Sequence, residues 1–216
     1  MIKFHPSRDM LNEHLAGKLP LSLTVAVSAH IELCAQCKEL AQELESLQSQ
    51  QLWQAADDAP VDFGDMLHSI LAEQPETQLE VIDKPTATIQ VAAINYQLPA
   101  AFSIFSELKW SGFGSLSRAR VINNENEVRA SLLHIDKGGS IPKHQHKGYE
   151  LTLLLDGSFA DENGTYHKGD FIYLEGGAAH APFSKNGCLC YAVQNAPLHF
   201  VSGISKVLNP LADLLY

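Results

Sequence analysis

The stretch His30-Ile-Glu-Leu-Cys34-Ala-Gln-Cys37 constrains this chain more than any other. It reads H-x3-C-x2-C. A histidine and a cysteine four residues apart share a face when the segment is helical. A second cysteine at C-x2-C spacing returns another sulfur to the same place. Three soft or borderline ligands then converge near a helix end, and His5, just before Pro6, is available as a fourth. Zinc takes four such ligands in a closed structural site, and three with an open position when it is catalytic. Two buried thiols and a core histidine would be the plainer reading, but it leaves the spacing unexplained.

The residues around this stretch predict short helices. Ser7 suits an N-cap, and Met10, Leu11 and Leu15 form an apolar face that stops at Gly17. Pro20 opens a second helix running to His30 and Cys34. Leu40, Leu44 and Leu47 continue at helical spacing in a third, ending near Trp53. Asp57-Asp58-Ala59-Pro60 breaks it. A fourth helix carries Phe63, Met66, Leu67, Ile70 and Leu71 on one face. That stripe either packs on the other helices or docks a partner. A unit this small buries little core and gains from a metal or a partner. Zinc would tie the N-terminus to the junction of the second and third helices, leaving the fourth free for recognition.

Charge and cysteine usage narrow the function. The formal net charge is -10, and no basic face suited to phosphates is evident, which argues against nucleic acid and permits a basic protein partner. The four cysteines fall in two close pairs, Cys34/Cys37 and Cys188/Cys190, a pattern of metal or redox chemistry in a reducing compartment. Met1-Ile-Lys-Phe-His-Pro is not a signal peptide, and the apolar run Leu21–Ala29 is too short to span a membrane. A cytoplasmic protein is expected.

The second half changes character. Lys84-Pro85 and the residues to 99 read as a linker, between a helical domain over 1–83 and a β domain over 100–216. Apolar runs at Ala119–Ile122, Arg129–Ile135, Glu150–Leu155, Phe171–Leu174 and Leu189–Val193 alternate with turn pairs. Those pairs are Gly138-Gly139, Asp156-Gly157, Asn163-Gly164, Gly169-Asp170 and Gly176-Gly177. The spacing predicts an antiparallel barrel or jelly roll. His144 and His146 point the same way on a strand, and Glu150 and His180 can close on them. Three imidazoles and a carboxylate suit Zn, Fe, Mn, Ni or Cu. Cys188 and Cys190 flank Leu189 on one strand face; they read as two small buried side chains or as redox candidates. His134, His167 and His199 have no constellation around them.

Gly138-x5-His144-x-His146-x3-Glu150-x6-Gly157 and Gly169-x5-Glu175-Gly176-Gly177-x2-His180 resemble the two cupin motifs. The first matches at every fixed position. The second has Glu175 where proline is usual and Ser184 where asparagine is usual; neither change removes a ligand. With the opening His5-Pro6 and the H-x3-C-x2-C stretch, the whole chain resembles the ChrR family of anti-sigma factors. That resemblance implies a multidomain α + β protein, a zinc-stabilised helical bundle followed by a cupin barrel. It implies zinc on His5, His30, Cys34 and Cys37, and zinc or another divalent transition metal on His144, His146, Glu150 and His180. It implies an extracytoplasmic-function (group IV) sigma factor as partner, held away from core RNA polymerase and released after singlet oxygen or a related oxidant. The contrasting reading is a cupin metalloenzyme, a dioxygenase or isomerase, with an accessory helical domain. A DNA-binding zinc regulator is disfavoured by the acidic balance.

Overall fold

The computed structural model describes residues 1–55, 63–73, 87–105, 107–177 and 179–201. The expected break at Asp57-Asp58-Ala59-Pro60, the linker residues Lys84 and Pro85, and the residues after 201 lie outside these. The helical part comprises α1 (Arg8–Leu15), α2 (Leu21–Leu33), α3 (Ala35–Ala55) and α4 (Gly64–Ala72). Ser7 caps α1 by accepting from the Met10 N–H. The chain leaves α1 through Gly17, at φ 66°, a conformation glycine adopts without strain.

Helix α2 sits at the centre of the molecule. It is apolar on most sides because it is sandwiched between α1, α3 and the sheet. Val25, Val27 and Ala29 enter the same core as Leu132, Leu151 and Tyr191 of the barrel. Its N-cap, Pro20, has no capping side chain. Glu125, from the β domain, supplies the missing acceptor: one carboxylate oxygen takes the Leu21 N–H and the other takes the Ser22 N–H at 2.9 Å. Tyr191 donates to the Ser22 carbonyl at 3.1 Å. Helices and barrel thus share one core.

Thirteen strands are described. A hairpin, β1 (Ala87–Val91) and β2 (Ile94–Leu98), precedes a short 3-10 turn over Ala100–Ile104. Part of the expected linker is therefore paired structure, and Val91, Tyr96 and Leu98 are buried in the shared core. The main sheet contains β3 (Trp110–Phe113), β4 (Leu116–Glu125), β5 (Val128–Ile135), β6 (Gly139–Ser140), β8 (Tyr149–Asp161), β11 (Phe183–Ser184) and β12 (Cys188–Gln194). Their order is β3-β4-β5-β12-β8-β11-β6, with β9 (Gly164–His167) and β10 (Phe171–Glu175) also paired to β8. Strands β7 (His144–His146) and β13 (Leu198–Phe200) form a separate pair. Every strand pairing among the described residues is antiparallel, as a cupin barrel requires.

Asp156-Gly157 is not a turn, as its residues suggest, but lies inside β8. Gly157 has φ 75° and pairs with Cys188; just before it β8 bulges at Leu155, where the register with β12 shifts between Leu189 and Cys190. A Cβ on Gly157 would stand 2.2 Å from the Gly187 carbonyl oxygen. The glycine bends a continuous strand instead of ending it.

Candidate metal centres

The first centre forms where α2 ends. Cys34 is the C-cap of α2, with extended backbone at φ −117° and ψ 106°. The break turns the chain so that Cys37, in the first turn of α3, faces back towards His30. His5 arrives from the extended segment before α1. His30 Nδ1 lies 2.8 Å from the Gly169 carbonyl oxygen, which can only accept, so Nδ1 carries the proton and Nε2 presents its lone pair. Nε2 is 3.3 Å from Cys37 Sγ. His5 Nδ1 is 3.5 Å from Cys34 Sγ and 3.3 Å from Cys37 Sγ. All four donor atoms lie within 4.8 Å of one another. Zn–S near 2.3 Å and Zn–N near 2.0–2.1 Å imply tetrahedral edges of about 3.3–3.8 Å. The three contacts fall within that interval, so the donor set fits a zinc ion at its centre.

The electrostatics agree. Burial, and more weakly the neighbouring His5, hold His30 at about 4, so it is a neutral ligand at physiological pH. Burial and then the neighbouring Cys34 push the Cys37 thiol up to about 12. A divalent cation would bring it down.

The second centre lies inside the barrel. His144 and His146 are both buried on β7, Glu150 is on β8, and His180 forms an isolated bridge opposite His144. His144 Nδ1 donates to the Pro142 carbonyl at 2.8 Å, and His180 Nδ1 is bound to Asp161 Oδ2 at 3.1 Å. The two Nε2 atoms then face each other at 3.1 Å. Two lone pairs at that distance repel unless a proton or a cation lies between them. His146 Nε2 is 2.9 Å from Glu150 Oε2, yet both atoms are buried without an aligned hydrogen bond. Gln194 holds the other carboxylate oxygen at 2.9 Å. These orphaned groups converge as a metal's ligands do, with Asp161 and Gln194 orienting them from behind.

The titrations follow from that packing. Burial holds His144 at about 4, against the pull of Glu150. Burial would raise the Glu150 carboxyl, but the imidazoles of His146 and His180 outweigh it and bring it well below the usual range. For His180 burial acts downward, and Glu150 and Asp161 more than reverse it. The site is thus arranged to hold positive charge.

Residues 100–198 match the ChrR cupin-like domain family. The Anti-sigma-E factor ChrR of Cereibacter sphaeroides is 29% identical over 215 residues, 97% of each chain. The chain also superposes on one in the crystal structure of Rhodobacter sphaeroides SigE in complex with the anti-sigma ChrR. That match has 26% identity and a TM-score of 0.66, and it covers 90% of this chain and 99% of the other. The chain is a homologue of the ChrR anti-sigma factor.

In this ChrR homologue α4 has no buried residue. Phe63, Met66, Leu67, Ile70 and Leu71 are 53–74% exposed, so the stripe does not pack on the other helices. Cys188 and Cys190 are buried with their sulfurs 4.0 Å apart. Cys190 donates to Cys188, which lowers Cys188 and, with burial, raises Cys190. His134 is structural: its Nε2 meets the Tyr96 hydroxyl at 3.1 Å and joins the hairpin to β5. A cleft of about 840 Å³ runs beside His5, lined also by Lys3, Asp9, Tyr166, Tyr173 and Glu175; none of the four barrel groups lines it. No helix among the described residues is long and apolar enough to cross a membrane.

Gly169, Asp161 and Gln194 escaped the sequence reading as partners of the candidate donor residues. Each acts from far along the chain, through a backbone carbonyl or a second side chain, and no spacing rule encodes that.

Proposed function

We propose that this protein is a zinc-dependent anti-sigma factor acting in the cytoplasm. It sequesters an extracytoplasmic-function (group IV) sigma factor from core RNA polymerase and releases it on an oxidative signal, such as singlet oxygen, sensed with the barrel. One observation carries the reading. His5, His30, Cys34 and Cys37 converge at zinc-ligand spacing in a chain that aligns end to end with ChrR.

The work is occlusion, not chemistry. Zinc, when bound, supplies the cross-link that a short helical unit needs to stay folded. His5 anchors the N-terminal segment, and Cys34 and Cys37 lock the junction of α2 and α3. Helix α4 offers an apolar stripe that the described residues leave uncovered. We assign Phe63, Met66, Leu67, Ile70 and Leu71 to the sigma-binding surface, with the acidic net charge of -10 suited to a basic partner. Cys188 and Cys190 are the redox candidates. Joining them would take two electrons and two protons to an oxidant and shorten the sulfur separation to about 2.05 Å.

Transcription from a group IV promoter, reconstituted with the host's sigma factors and core polymerase, tests the proposal. Stoichiometric zinc-loaded protein should silence one of those sigma factors, and Cys34→Ala should not. If every group IV sigma factor of the host stays active, the assignment fails.

A further inference from the structure

One stretch of the barrel touches the N-terminal centre without contributing a ligand to it. The turn leading into β10 presents Gly169 and Asp170 to the helical unit. The Gly169 carbonyl fixes the tautomer and the ring of His30 at 2.8 Å. Asp170 is 1% exposed. Its Oδ1 accepts from the Lys3 N–H at 2.7 Å and the Phe4 N–H at 3.3 Å; its Oδ2 accepts from the His167 N–H at 2.8 Å. The Phe171 N–H donates to the Phe4 carbonyl at 3.0 Å. The segment that delivers His5 therefore lies against the barrel, held by one backbone bond and clipped by a buried carboxylate. Two of the four donor atoms are aimed by the barrel.

The same turn is bonded to the strand that carries a barrel ligand. Gly169 donates to the Leu154 carbonyl at 2.8 Å, and the Leu154 N–H donates to the Asp170 carbonyl at 3.0 Å. Leu154 lies four residues along β8 from Glu150, which itself pairs with Leu174 of β10. These bonds connect β8 at the barrel centre directly to the residues that hold His5 and His30.

We propose that Gly169 and Asp170 are positioning residues for the N-terminal metal centre, so that the barrel sets how tightly the helical unit keeps its zinc. This rests on reading His5, His30, Cys34 and Cys37 as that centre. Partners behind a metal's ligands commonly change its affinity by about 10–100-fold. The coupling is reciprocal: loss of the ion must loosen the N-terminal segment that His5 anchors.

The full-length protein loaded with cobalt(II) separates the two claims. Thiolate-to-cobalt absorption reports this centre alone, since the barrel group contains no sulfur. No such band in the unmodified protein, or a band that survives the double change Cys34→Ala and Cys37→Ala, would sink the metal centre itself and this inference with it. With the band present, Asp170→Ala should hasten its loss to excess EDTA by about tenfold or more. Lys3→Pro removes one of the clipped donors from the helical side and leaves the barrel sequence untouched. It should act in the same direction, and it still decides the matter if Asp170→Ala fails to fold. Hydrogen exchange gives a readout that general destabilisation would not: the Phe171 amide should be protected in the loaded protein and exposed after chelation, while amides of β5 and β12 stay protected. Unchanged EDTA kinetics in the folded variants, or a Phe171 amide indifferent to chelation, would overturn the assignment.

Discussion

At the scale of single residues, the proton inventory is decisive. The Cys37 thiol is pushed up by burial and by Cys34, so in the metal-free protein it holds its proton at neutral pH. Zinc binding must displace that proton, and His30, already neutral, releases none. The zinc association constant should climb at least about tenfold per pH unit between pH 6.5 and 8, measured by competition with a chelator. Acid acts differently on the metal-free chain. His30 and His144 sit at about 4 when folded, against an unfolded value of 6.5. Between those values the unfolded chain binds more protons, so the stability that these neutral imidazoles contribute is full above pH 6.5 and is lost as pH falls towards 4. Urea midpoints of the chelated protein should decline through that window. The two clusters of candidate donor side chains were legible in the sequence because H-x3-C-x2-C and the His-x-His spacing report local geometry. Asp170 was not, because its partners Lys3 and Phe4 lie 167 and 166 residues away and are backbone groups.

At the scale of elements, α4 and β8 make opposite demands. Helix α4 carries an apolar stripe that nothing described covers. Leu67→Asp should leave urea unfolding unchanged. It should weaken sigma binding by about 30-fold, the equivalent of roughly 2 kcal/mol for one buried leucine. Strand β8 depends on Gly157. Gly157→Ala sets a Cβ against the Gly187 carbonyl at a positive φ, and should destabilise the barrel by about 2 kcal/mol or more, read from the urea midpoint. The helices were legible from their apolar periodicity. The β1–β2 hairpin was not: its turn is Ala92-Ala93, with φ 50° and 63°, where asparagine and glycine normally announce such a turn. Asp156-Gly157 misled in the other direction, since a glycine with positive φ can sit within a bent strand, here beside the bulge at Leu155, as readily as in a turn.

At the scale of the whole molecule, the helical unit and the barrel are one mechanical object. They share a hydrophobic core, Glu125 caps α2 from the sheet, and the turn at Gly169 and Asp170 holds the N-terminal centre. The division into two fold types was visible in the change from helical to alternating patterns. The joint between them was not, because it is built from backbone groups and from α2, whose apolar faces resemble any buried helix. Such a joint suits a switch in which a barrel event lowers partner affinity: each tenfold loss of binding needs only about 1.4 kcal/mol of coupling. The most direct measurement is sedimentation of the protein mixed with the host's group IV sigma factors, before and after zinc is stripped and restored. One sigma factor should move with the zinc-loaded protein as a one-to-one complex, separate on chelation, and rejoin when zinc returns. A complex that persists without zinc, or none with any of those sigma factors, would contradict a metal-held clamp.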